Sequence, residues 1–122
     1  MELRKLNVDD VEVKIFAEDE DIPIRGSFDS GDPKLDEETA KEIEARLNRG
    51  DIWAWCNVRV QVSYGSCFVA TSSHLGACSY KNEKDFVKNS GYYDSLVEEA
   101  LDDLNVEVQE TFEKLKPLVI RW

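Results

Sequence analysis

Cys56, Cys67, Cys78 and His74 are the residues of this chain whose types best suit bond-making chemistry. Three thiolates and an imidazole can hold a tetrahedral zinc ion, and a thiol beside an imidazole can act as nucleophile and base. Their spacing opposes both uses. No two thiols lie two to four residues apart, and each falls in a different strand-like segment. A two-residue turn at Gly65-Ser66 would set Tyr64 opposite Cys67 and Cys56 near Leu75, so the sulfurs would not converge. His74 and Cys78 share a face only on a helix, which Gly76 and the surrounding strand pattern oppose. His74 therefore reads as a turn residue and the thiols as small buried hydrophobes. No metal and no cofactor is expected.

Carboxylates are the abundant reactive type, 26 against 15 Lys and Arg, for a net charge of −11. Acid pairs in glycosidases and hydrolytic metal sites must converge in a cleft. Here they fall on helical surfaces and in loops. Asp29-Ser30-Gly31-Asp32 lacks the alternating ligands and terminal Glu of a calcium loop, and there is no Gly-rich phosphate loop. An enzyme is not the expected class.

What remains for the acids is electrostatics. Between Tyr92 and Glu113 stand Asp94, Glu98, Glu99, Asp102, Asp103, Glu107, Glu110 and Glu113, with no Lys or Arg before Lys114. Tyr93, Leu96, Val97, Ala100, Leu101, Leu104, Val108 and Phe112 recur among them at steps of three and four, the spacing of one helical face. Like charges a turn apart repel, so surface helices ordinarily mix signs. Such a face either keeps the protein dissolved or attracts a basic partner. A second candidate surface is Trp53, Trp55 and Arg59, which share one side of a strand reading and are residue types favoured at binding hot spots. Either a partner uses them, or the N-terminal strand, the C-terminal segment or a second subunit covers them.

These residues need elements to position them. A chain of 122 residues, 42% hydrophobic, suits a single domain over 1–122. Alternation predicts a strand from Val11 to Phe16, a short edge segment at Ile22-Pro23-Ile24-Arg25, and a long strand from Ile52 to Tyr64. Cys67–Thr71 and Leu75–Tyr80 complete the central strands. Asp32 as cap, Pro33 at the first turn and Gly50 at the end bound a helix with Leu35, Thr39, Ile43 and Leu47 inward. Residues 82–91 read as a polar connection before the acidic helix, which Pro117 stops, and Leu118-Val119-Ile120 could return as a strand. The fold class is α+β: an antiparallel sheet with a central α-β-β-β-α core, two helices on one face, extra N-terminal strands and a C-terminal strand. No apolar run reaches membrane-spanning length and the start of the chain lacks a signal-peptide core. An odd cysteine count fits a reducing cytoplasm, the expected address. The charge argues against direct nucleic-acid or anionic-membrane binding.

Trp53-Ala54-Trp55-Cys56, Leu75-Gly76-Ala77-Cys78-Ser79-Tyr80, Asp85-Phe86, Gly91-Tyr92-Tyr93-Asp94 and Glu99-Ala100-Leu101 together resemble a pattern in small proteins of tailed bacteriophages that have no assigned activity. The resemblance covers Ile22 to Leu104 and implies a phage or mobile-element setting. The α-β-β-β-α order also looks like the double-stranded-RNA-binding fold. That fold needs a basic helix end against phosphate, and the corresponding helix here is acidic. Combined, these readings predict a non-enzymatic inhibitor of a host defence nuclease, of the anti-CRISPR or anti-restriction kind. Its acidic helix would mimic nucleic acid on a host protein's basic surface through Glu98, Glu99, Asp102, Asp103, Glu107 and Glu110. The rival is an interaction or homodimerisation module using Trp53, Trp55 and Arg59.

Overall fold

A computed structural model describes residues 2–119. The fold is α+β, as the sequence pattern predicts, with three helices and a four-stranded antiparallel sheet. In chain order the elements are β1 (Glu12–Glu18), α1 (Pro33–Asn48), β2 (Cys56–Tyr64), β3 (Phe68–Thr71), β4 (Leu75–Cys78), α2 (Glu83–Asn89) and α3 (Tyr93–Leu115). β2 lies between β1 and β3 and also pairs with β4. The chain gathers into two compact units, to both of which β1 and β2 contribute: one comprises the described residues up to Lys14, Val60–Ser73 and the described residues from Asp94 on, the other Ile15–Arg59 and His74–Tyr93. Leu118 closes a 3-10 turn, Lys116–Leu118, and Val119 is not in a strand. The rest of the expected C-terminal strand lies outside the described residues.

The first unit is centred on α3. Ala100 and Leu104 are wholly buried and form its core with Leu6 and Val62. Tyr64 pairs with Phe68 in the β2–β3 register, so the hairpin loop is Gly65-Ser66-Cys67 and not the expected two-residue turn. Gly65 supplies the positive φ, +62°, that this loop requires, and the longer loop moves Cys67 out of β3 to an exposed position. Past β3, Ser72 continues the ladder with its side chain: Val60 N–H donates to Ser72 Oγ at 2.9 Å, and Ser72 N–H to Val60 O at 2.8 Å. The N-terminal segment is fastened to α3 by one amide. Leu6 N–H donates to Asn105 Oδ1 at 2.8 Å, and Asn105 Nδ2 returns a bond to Leu6 O at 3.0 Å.

The second unit holds α1. Asp32 Oδ1 accepts from the Lys34 and Leu35 amides at 3.1 and 3.2 Å, an N-cap beside Pro33. Of the expected inner stripe, Ile43 is buried and Leu47 packs against the cluster of Ile43, Ala54 and Trp55, whereas Leu35 is exposed and Ala40 is buried instead. Residues Ile52–Ala54 form a 3-10 turn, not the start of β2. Ala54 N–H donates to Asp51 O and Trp55 N–H to Ile52 O, which closes the turn after α1. Ile22–Arg25 is likewise a turn, not an edge strand: Ser27 N–H and Oγ donate to Ile24 O and Pro23 O. The segment read as a connection contains α2, capped by Asn82, whose Oδ1 accepts from Asp85 N–H at 2.9 Å. Its Phe86 is wholly buried.

Candidate functional site

All eight α3 carboxylates are exposed. Two have internal duties. Glu99 accepts from Ser73 N–H at 2.7 Å and Ser73 Oγ at 3.0 Å. Glu113 accepts from Gln109 and lies 3.8 Å from Lys116. The carboxylates of Glu98, Asp102, Asp103, Glu107 and Glu110 make no hydrogen bond or ion pair among the described residues. The acids of the second unit differ. Arg25 bridges Glu37 and Glu44, Arg46 binds Asp51, and Arg59 binds Glu18 at 2.6 Å. Asp36 accepts from Ser30, and Glu20 from Ala77 N–H. In that unit, many acids are tied into the fold by a cation, cap or amide. On α3 most carboxylates point to solvent with no counter-charge of their own.

This arrangement follows from local sequence. The helix must bury Leu96, Val97, Ala100 and Leu104, and every acid lies off that stripe. Since no cation occurs between Asp94 and Glu113, no i,i+4 pairing within this stretch can relieve the field.

Trp53, Trp55 and Arg59 do not form one surface. Trp55 is 5% exposed: its ring packs against Phe28 with centroids 5.8 Å apart, and its indole N–H donates to Ile22 O at 2.7 Å. Trp53 lies against the buried Phe86 ring at 5.7 Å. The Arg59 guanidinium sits 4.2 Å from the centre of the Phe16 ring and binds Glu18. Strand alternation does not extend back through the 3-10 turn, so both tryptophans turn into their own unit. The chain covers them itself.

The reactive residues are placed apart or sealed. Cys56 and Cys78 are cross-strand partners, closer than the expected pairing of Cys56 with Leu75. A bulge moves them together: Gly76 and Ala77 stand opposite Asn57 alone, and Ala77 takes φ +53°. Both thiols are buried and free, and burial pushes Cys56 up to about 12 and Cys78 up to about 11. They are held as thiols, which are poor nucleophiles. His74 is exposed, its Nδ1 2.7 Å from Asn57 Oδ1. Among the described residues no three His, Cys, Asp or Glu side chains gather to hold a metal ion, and no helix is long and apolar enough to cross a membrane.

A groove beside the acidic face has no counterpart in the sequence pattern. It measures about 540 Å³ and runs between Leu3, Arg4 and Lys5 on one side and Asp102, Val106 and Glu110 of α3 on the other. Val106 is the signal that periodicity misses: it sits off the buried stripe, 57% exposed among the acids.

The chain matches no protein-family model, no curated protein and no solved structure. Its surface chemistry must therefore carry the functional reading.

Proposed function

We propose that this protein is a non-enzymatic binder whose α3 carboxylates occupy a basic, nucleic-acid-binding surface of another protein. In the phage setting that its sequence pattern suggests, the partner is a host defence nuclease and the outcome is inhibition, of the anti-CRISPR or anti-restriction kind. The observation that carries the reading is the contrast between α3 and the second unit: many acids there are used internally, whereas five neighbouring carboxylates on α3 are not.

The spacing suits mimicry. At ~1.5 Å per residue α3 spans about 28 Å from Asp94 to Glu113, so its eight carboxylates fall about every 4 Å, near the ~3.4 Å per phosphate along one strand of B-DNA. Packing of Leu96, Ala100 and Leu104 fixes the helix before binding, so the charges need little ordering on contact. A concentrated field of one sign also raises the rate of encounter with a basic groove.

The test is capture from a bacterial lysate on immobilised protein, with mass-spectrometric identification, using Asp103→Lys/Glu107→Lys as the comparison. These two positions are preferable to Glu99, whose bonds to Ser73 are structural. The expected partner is a nucleic-acid-binding protein that is lost from the charge-reversed bait and displaced by duplex DNA. A captured set indifferent to charge reversal and to DNA sinks the proposal.

A further inference from the structure

We propose that the groove between the N-terminal segment and α3 docks a basic amphipathic helix of the partner protein. The helix would seat apolar side chains against Leu3 and Val106 and cations against Asp102 and Glu110. The inference rests on the acidic-face reading and narrows it from a charged surface to a mixed apolar and ionic one.

The groove is longer than its main hollow. A second hollow of about 350 Å³ shares Leu3 and Gln109 and continues to Phe112 and Lys116. From Asp102 to Lys116 the run is about 21 Å at ~1.5 Å per residue, the length of about four helical turns. Its main hollow lies within the ~300–1,000 Å³ of sites that bury a ligand. The apolar component is placed, not scattered. Val106 lies one turn from Asp102 and Glu110, and Leu3, 40% exposed, faces it across the groove.

Charge selects the occupant. On the N-terminal wall the Arg4 guanidinium holds both oxygens of Asp10, at 2.8 and 3.0 Å. It is committed there and does not neutralise the α3 wall. Asp102 and Glu110 have no ion pair among the described residues, and neither has Lys5. The groove thus presents carboxylates on the α3 side and a cation on the other. That asymmetry favours a helix whose cations are confined to one face, the pattern read by helix-in-groove recognition. Phosphate-rich ligands meet carboxylates at the α3 rim and are disfavoured. The wall is preformed, since Asn105 holds both backbone groups of Leu6.

Two synthetic helical peptides of equal lysine content test this against the full chain, by fluorescence anisotropy. One carries leucine along a single face; the other carries glutamine there, a comparable helix former. The leucine peptide should bind about tenfold tighter, the effect of burying one aliphatic side chain. Val106→Asn, a change on an exposed position, should shrink that preference to about threefold or less and leave the glutamine peptide unaffected. Equal affinity of both peptides for the unmodified chain overturns the groove while leaving the acidic-face reading intact. A leucine preference that survives Val106→Asn also overturns it, because the peptide then seats elsewhere. Asp102→Lys/Glu110→Lys, on the α3 wall of the groove, should weaken both peptides; affinities unchanged by that reversal, or no binding by either peptide to the unmodified chain, overturn the inference. Tighter binding of a duplex DNA or of phosphatidylserine vesicles than of the leucine peptide overturns it as well.

Discussion

Asn105→Ala is the perturbation that most directly tests how the N-terminal wall is held. In the folded chain Asn105 accepts from Leu6 N–H and donates to Leu6 O and Leu101 O. The Leu101 carbonyl keeps its place in the helix ladder, but both Leu6 groups lose their side-chain partner, beside a Leu6 side chain that is 9% exposed. Each backbone group stranded at a partly buried position costs about 1 kcal/mol, so the direct loss is about 2 kcal/mol. If the segment detaches, the burial of Leu6 against Val62 and Leu104 is forfeited too, adding roughly 1.5–3 kcal/mol. Thermal unfolding followed by circular dichroism should show Tm lowered by roughly 8 °C for the direct loss in a domain of this size. Asn105→Asp, which sets a carboxylate oxygen against the Leu6 and Leu101 carbonyls, should lose at least as much as Asn105→Ala at pH 7. Hydrogen exchange at the Leu6 amide should quicken in the alanine variant. A loss below about 0.5 kcal/mol, with Leu6 exchange unchanged, would refute the clasp and assign the segment's attachment to the Leu6 side chain alone.

Trp55→Ala should destabilise the protein by about 3–5 kcal/mol, because it empties the space against Phe28 and strands Ile22 O; a loss under about 1 kcal/mol in urea unfolding contradicts the burial. Arg4 and the Asn7 amide hold the Asp10 carboxyl down to about 2. A lowered folded-state pKa stabilises the fold above the ordinary Asp value of about 3.9 and is lost as pH falls towards about 2. Asp10→Asn should therefore have a lower Tm than the unmodified chain at pH 7, the gap closing between about pH 4 and pH 2; a pH-independent gap rejects this. Iodoacetamide at about pH 8 should modify Cys67 alone, since Cys56 and Cys78 are buried thiols; intact mass with two or three adducts on folded protein would disprove the sealed pair.

α3, α1 and the centre of β2 were legible in residue order, because each repeats its apolar residues with the period of its own backbone: Leu96, Val97, Ala100 and Leu104 on one helix, Val58, Val60 and Val62 on one strand. The exposed acidic face belongs to the same class. Once the buried stripe is set, the carboxylates have only outward positions. α2 escaped because seven residues with one buried ring carry little periodicity, although Asn82 and Asp85 do mark a cap. Periodicity reports which face is dry but not what covers it. The cover over Trp55 comes from Ile22 and Phe28, and the clasp on Leu6 comes from a side chain 99 positions away. The meeting of Cys56 with Cys78 depends on a single extra residue in a bulge. Such contacts are chosen by chain topology, since any of many distant segments could satisfy the same local demand. The charge of this protein's outer helix was thus written in its residue order, while the groove beside it, and the closing of its tryptophan face, exist only because remote segments meet.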